Sequence, residues 1–414
     1  MKDKRNYLKE KGITLIALVV TIVVLLILAG VTINAVFSDS GIIKKAQDAQ
    51  NKANESIQKD MEQINALENW LSENTGENNN DKEVNISTLV GKEAITKNTK
   101  AEDAYGNKIT IPKGFKILPH GTEASSATYT YSGDNIPAVQ DGIVIENETD
   151  GNQFVWVPVG TIKNKNNTTN TITLGRYSDF TMTNGTVASG QPVQVASTSD
   201  YFQEVVIDTY YIEQSSSREG TYSKSGVINQ NATARNLGDF ISTTLKNGGF
   251  YMARFEASGP ESKIRSKYNE YVLGYTPQPK AAKAARAMYG EIKENNKLVY
   301  ASDLVNSYAW DTTIVFIQTY STEENANTYA SVNKVASSNV QKTGLSSDKF
   351  CNIWDLSGNV NEMTTETSIY YSGVAFQNVR RGGYTGKDYT SIRKYDDTTT
   401  NSSIYGFRAL LYVK

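Results

Sequence analysis

Trp354-Asp355-Leu356-Ser357-Gly358-Asn359-Val360-Asn361-Glu362 is the stretch whose reading decides the fold of most of this chain. Gly358-Asn359 reads as a tight turn, and two uses of its polar groups stay open. A hard cation such as calcium wants carbonyl and carboxylate oxygens, which Gly358, Asn359, Val360 and Glu362 could supply. Alternatively, Asn359 and Glu362 satisfy backbone groups of the turn itself. Downstream stand Arg381-Gly382-Gly383-Tyr384 and Gly406-Phe407-Arg408, whose arginines read as partners of core carboxylates or carbonyls. Upstream lie strand-like segments set off by Gly, Asn and Asp: Lys108–Ile111, Gly142–Ile145, Phe154–Val159 and Phe250–Glu256. Two helices are predicted. One carries Leu237, Phe240, Ile241 and Leu245 and closes at Asn247-Gly248-Gly249. The other starts near Ser302 and carries Leu304, Val305, Tyr308, Ile314, Val315 and Phe316. The Thr-, Asn- and Gly-rich stretch 161–199 reads as loop or hairpin. Strands mixed with two helices and long loops predict an α+β domain.

Five pieces occur in a telling order: Gly151–Val159, Gly248–Glu256, Trp354–Glu362, Arg381–Tyr384 and Gly406–Arg408. In that order they resemble the formylglycine-generating-enzyme (sulfatase-modifying-factor) superfamily, a variant of the C-type lectin fold, over most of 86–414. Asn361 and Met363 stand where that family usually has Trp. The resemblance implies a calcium site at the Gly358–Glu362 turn. It also implies that an oxidase of this family would carry two cysteines between the Arg-Gly-Gly and Gly-Phe-Arg pieces, to hold copper and attack a thiol. Here Tyr384–Tyr405 contains no cysteine, and Cys351, the single cysteine, lies upstream. Copper-thiolate chemistry needs soft ligands that one misplaced thiol does not supply. His120 is the single histidine, which also removes two-His metal sites and most Ser-His or Cys-His pairs. The reading is therefore not an enzyme.

The interval instead holds Tyr384, Lys387, Asp388, Tyr389, Arg393, Tyr395, Asp396, Asp397, Asn401 and Tyr405. Tyrosine gives rigid amphipathic contact area, and Asp, Arg and Asn give directional hydrogen bonds. These ten are the expected ligand-binding residues; the alternative is a solvated polar loop. C-type-lectin-fold proteins diversified by retroelements vary this same region, and the resemblance permits that role here.

At the other end, Lys11-Gly12 precedes the apolar run Ile13–Ala29. Ile13–Val36 would span about 36 Å as a helix, against a bilayer core of about 30 Å. The basic leader should stay on the cytoplasmic side. A signal peptide or plain anchor is the alternative, but here the Gly precedes the apolar run. Lys11–Ile16 resembles the processing site of type IV prepilins and pseudopilins. That resemblance implies cleavage by a prepilin peptidase between Gly12 and Ile13, methylation of Ile13, and other pilins as partners. Ala17 replaces the usual Glu at the fifth mature position, which favours a minor or non-polymerising role.

The expected organisation is a leader (1–12), a pilin-like transmembrane helix (13–37), an amphipathic stalk helix (41–74), a linker (75–85) and the C-type lectin-like head (86–414). Net charge is -2, so no basic field calls for nucleic acid. With one cysteine there is no internal disulfide, and the head must be held by its core. The expected product is a single-pass membrane protein with an extracellular head that binds a protein or glycan ligand, as an adhesin or receptor. A structural pseudopilin of a secretion or DNA-uptake machine is the alternative.

Overall fold

In a computed structural model of the chain, the described residues are 83–119, 137–177, 179–183, 186–187, 202–203, 237–294, 297–322, 325–333, 335, 339–369, 376–396 and 402–414. The chain divides into Met1–Asn80 and Asp81–Lys414, and the described residues belong to the second. The expected leader, membrane helix and stalk helix, with Gly12, Ile13 and Ala17, lie outside the described residues, as do His120, Asp397 and Asn401. Among the described residues no helix is long and apolar enough to cross a membrane.

The fold is mixed α+β. In chain order its principal strands are β1 (Phe115–Ile117), β2 (Val144–Asn147), β3 (Gln153–Pro158), β4 (Phe202–Gln203), β5 (Gly249–Ala253), β6 (Glu291–Glu294), β7 (Lys297–Leu304), β8 (Asn361–Ile369), β9 (Phe376–Arg381), β10 (Lys394–Asp396), β11 (Tyr405–Phe407) and β12 (Ala409–Val413). Seven of them form one antiparallel sheet in the order β6-β7-β12-β5-β3-β2-β1. The second sheet runs β4-β8-β9-β10, and β11 pairs parallel with β8. Gly160–Lys163 and Thr169–Ile172 pair as a hairpin within the Thr- and Asn-rich stretch.

Every residue of β3 is buried, as its unbroken apolar run requires of a central strand covered on both faces. Trp156 of β3 stacks edge-on to Tyr251 of β5 at 4.9 Å, and the two are paired in register. Helix α1 (Leu237–Asn247) closes where the Asn-Gly-Gly signal placed its end, and Phe240 packs on Phe250 and Tyr412. Leu245, expected on its apolar face, is 41% exposed.

Two helix expectations need correction. Helix α3 spans Ser307–Tyr320, not a start near Ser302. Residues 302–304 belong to β7, and the Asn306 side chain caps the helix by accepting the Ala309 N–H at 2.8 Å. A tertiary pairing with β12 thus overrides an apolar pattern that continues through both elements. Helix α2 (Gln278–Tyr289) was not expected at all. Its Ala-rich stretch has high helix propensity and opens on Pro277 and Pro279, but lacks a wide apolar stripe. Small residues suffice because Ala281, Ala282 and Ala285 lie against the fold, and Arg286 reaches Asp303 of β7 at 2.8 Å.

Candidate functional site

The expected recognition interval is built on a loop stitched down along its length. Gly382 and Gly383 both have positive φ. A Cβ on Gly383 would sit 2.5 Å from the Lys387 carbonyl oxygen, so only glycine allows the turn that follows. That turn closes by Tyr384 N–H to Lys387 O at 3.0 Å and Lys387 N–H to Tyr384 O at 2.6 Å. Thr385 N–H donates to Asn359 O at 3.3 Å, and Asn333 Nδ2 donates to Lys387 O at 2.7 Å. Lys394 Nζ bonds Asp388 Oδ2 at 2.6 Å, so one expected contact residue, Asp388, is spent partly on the loop itself.

Tyr389 is 44% exposed, Lys387 is exposed, and Tyr384 is half-buried with Lys387 Nζ 5.7 Å from its ring centroid. Arg393 is placed differently from the sequence expectation. Its side chain is 10% exposed and points inward, with Nε on Glu366 Oε1 at 2.9 Å, Nη1 on Tyr177 O at 3.1 Å and Nη2 on Asp311. Arg381 reaches the same Asp311 and Glu366, and Arg176 reaches Glu366 at 2.6 Å. Burial alone would raise the Glu366 carboxyl, but Arg393, Arg176 and Arg381 together hold it down at about 2. Arg393 therefore ties the loop down instead of facing a ligand. Tyr395 and Asp396 fall on β10, paired with β9, and Tyr405 opens β11.

Of the four residues expected to hold calcium, Asn359 and Glu362 spend their side-chain oxygens within the fold. Both Glu362 oxygens accept from Arg408, at 2.5 Å from Nη2 and 2.7 Å from Nε. Asn359 Oδ1 accepts the Gln341 N–H at 2.7 Å, and Nδ2 donates to Glu256 Oε2 at 2.6 Å. Gly358 N–H donates to Gly382 O, and Val360 N–H to Glu256 Oε1. The Gln341 N–H and the Arg408 guanidinium occupy the side-chain oxygens of Asn359 and Glu362, so these two side chains do not fit a calcium ion. Among the described residues no group of three His, Cys, Asp or Glu side chains is placed to hold a metal.

Around that turn lies a buried carboxylate cluster: Glu256, Asp348, Asp355 and Glu362, each fully buried, with Arg408. Burial pushes Asp348 up to about 7 despite the hydrogen bonds from Ser357 N–H and Tyr329 Oη, and Asp355 pushes it the same way. The folded state therefore holds a proton there that the unfolded chain releases near pH 4. Stability from this group is complete below about pH 4 and is lost as pH rises to about 7. Asp348→Asn is isosteric and does not titrate. Its stability relative to wild type should rise by a few kcal/mol between pH 4 and 8, in urea unfolding at both pH values. Parallel pH profiles for the two proteins would refute this.

A third segment also presents exposed aromatics. Residues 266–277 are pinned by Asn269 N–H to Thr343 O, Leu273 N–H to Ala257 O and Tyr275 N–H to Ser402 O, at 2.8, 2.8 and 2.9 Å. This rigid loop leaves Tyr271 79% and Tyr275 65% exposed. Tyr275 has φ 58°, an unusual value for a bulky residue, and Lys342 Nζ lies 4.6 Å from the Tyr271 ring centroid. Sequence reasoning missed these two tyrosines. Their signal was Tyr271 and Tyr275 spaced four apart around Val272-Leu273-Gly274, and nothing local shows that they are not core.

No family model matches the chain, and no curated protein matches it. Among solved structures it is similar to "Crystal Structure of CarF", at 15% identity over 40% of this chain and 87% of that one, with a TM-score of 0.29. It is also similar to Treponema denticola variable protein 1, at 11% identity over 63% of this chain and 96% of that one, with a TM-score of 0.24. Neither superposition is close enough to identify a shared fold.

Proposed function

We propose that the chain is a prepilin-like, membrane-anchored display protein whose C-type lectin-like head, related to the formylglycine-generating-enzyme superfamily, binds a surface ligand and carries no catalysis. One observation carries this reading. The loop Tyr384–Lys394 is fixed from below by Arg393 and along its length by backbone bonds, while Tyr389 and Lys387 face solvent. Such an arrangement places contact groups without an ordering cost on binding. The pinned Tyr271 and Tyr275 extend the same kind of surface. Ligand capture is the expected role, on the outer side of the membrane, after peptidase processing at Gly12–Ile13.

The test is saturable binding of the full-length chain in nanodiscs to whole-cell and glycan arrays. Against the ligand so found, Tyr384→Ala combined with Lys387→Ala and Tyr389→Ala should weaken binding at least tenfold with Tm unchanged. Arg393→Ala should instead lower Tm, because it leaves Asp311 and Glu366 short of a cation. Absence of saturable binding, with secretion or DNA uptake failing when the gene is deleted, would favour the pseudopilin reading.

A further inference from the structure

We propose that the face of the second sheet turned away from Arg408 holds a sub-site, floored by Asn361, for the planar side-chain carboxamide of an Asn or Gln on a protein ligand. This rests on the recognition reading above and names one group that the head would read.

Side chains alternate along β8, so Glu362 turns inward to Arg408 while Asn361 and Met363 face the opposite side. Strand β8 lies between β9 and β11, with Met363 opposite Arg380 and Asn361 opposite Tyr405. The Arg380 guanidinium nevertheless sits 4.1 Å from the Tyr405 ring centroid. To reach it, Arg380 must cross β8 above Asn361 and Met363. Arg380 is 7% exposed and Tyr405 half-buried, so the roof over this floor itself reaches solvent.

Under that roof Asn361 is fully buried, and neither its Nδ2 nor its Oδ1 has a partner among the described residues. Its backbone N–H is satisfied, donating to Ile404 O at 2.9 Å. Buried amides are nearly always paired, and a fold that keeps an orphan at such a position needs a reason. Its neighbours on the same face are Met363, Tyr405 and the Arg380 guanidinium, which leaves the amide without a bond.

The orphan amide specifies its partner. It offers donors on one atom and an acceptor on the adjacent one, in a plane. A carboxamide answers both with two parallel hydrogen bonds, whereas a carboxylate offers only acceptors and leaves Oδ1 facing another oxygen. A protein source is favoured over a sugar by the rim. Tyr275 and Val272 border the Ser402–Tyr405 turn and the start of β11, and Tyr389 lies on the loop bonded to Asn359. Exposed tyrosines on pinned backbone are the residues that anchor protein interfaces.

The experiment is a titration of the full-length, 15N-Asn-labelled chain with propionamide, propionate and methyl α-glucopyranoside, following the side-chain amide signals that vanish in Asn361→Leu. Propionamide should shift that pair saturably, and the other two should leave it in place. A shift with the glycoside or with propionate, or no shift with propionamide, overturns the proposal. A persistent water cross-peak at Asn361 with propionamide present would identify a structural water instead. In the ligand-binding assay, Asn361→Leu should weaken binding at least tenfold while keeping or raising Tm. If Asn361→Leu binds like wild type while the Tyr384/Lys387/Tyr389 variant does not, the sub-site fails and the recognition reading stands. If neither variant matters, both fail.

Discussion

Arg408→Met is expected to unfold the head or cost it well over 3 kcal/mol. Arg408 is fully buried and donates to both oxygens of Glu362, to Ala253 O at 3.0 Å and to Trp354 O at 3.0 Å. It therefore ties β5 of the first sheet and the Trp354 turn to β8 of the second. Burial works against its charge, but Glu362, with Glu256 and Asp355 behind it, holds the guanidinium protonated. Methionine fills a similar volume and leaves Glu362 charged or forces it to take up a proton, with two carbonyls orphaned besides. Those orphans alone cost about 1–3 kcal/mol each. Adding Glu362→Gln to Arg408→Met should recover part of the loss, a coupling readable by a double-mutant cycle in urea. An Arg408→Met protein within 1 kcal/mol of wild type would show that the cluster is not held by this cation.

Gly142→Ala is expected to cost about 3 kcal/mol or more. Gly142 has φ 75°, and an added Cβ would lie 1.9 Å from the Cys351 carbonyl oxygen and 2.8 Å from its carbon. Backbone cannot yield there as a side-chain tip could. The Cys351–Asn352 turn has positive φ at both residues, and Asn352 Nδ2 holds it by donating to Asp141 O and Gly142 O at 2.9 Å each. On its other side Asn352 O accepts Arg254 Nε at 3.1 Å. The alanine methyl must push this pinned turn away from β2 and β3, adding overpacking to the left-handed backbone cost. Thermal unfolding should show Tm lower by several degrees. Gly160→Ala is the control: φ is also positive, but nothing lies within 4 Å of the added Cβ. Equal losses at the two sites would mean that backbone conformation, not the close approach, sets the effect.

The sequence was informative wherever the physics is local. Unbroken apolar runs such as Phe154–Val159 became central strands because their own side chains demand two covered faces. The Asn247-Gly248-Gly249 stop ended α1, since a positive φ is written into glycine itself. Arg381 and Arg408, flanked by Gly and Phe, read correctly as partners of core carboxylates. The Gly358–Glu362 turn was found, but whether its oxygens face a cation or one another was not legible.

Tertiary structure decided what depends on residues far apart in the chain. Arg393 looked like a contact residue until Asp311 and Glu366, from α3 and β8, claimed its guanidinium. Residues 302–304 became strand, not helix, because β12 offered them hydrogen bonds. Tyr271 and Tyr275 could have been core aromatics; pinning by Thr343, Ala257 and Ser402 turned them outward. Asn361 seemed only a departure from a Trp, until Arg380 and Tyr405 closed over an amide with no partner. Turn chemistry and side-chain period are properties of a few neighbouring residues and can be read in order. Burial and pairing are decided by which distant segment arrives, and only the folded chain records that.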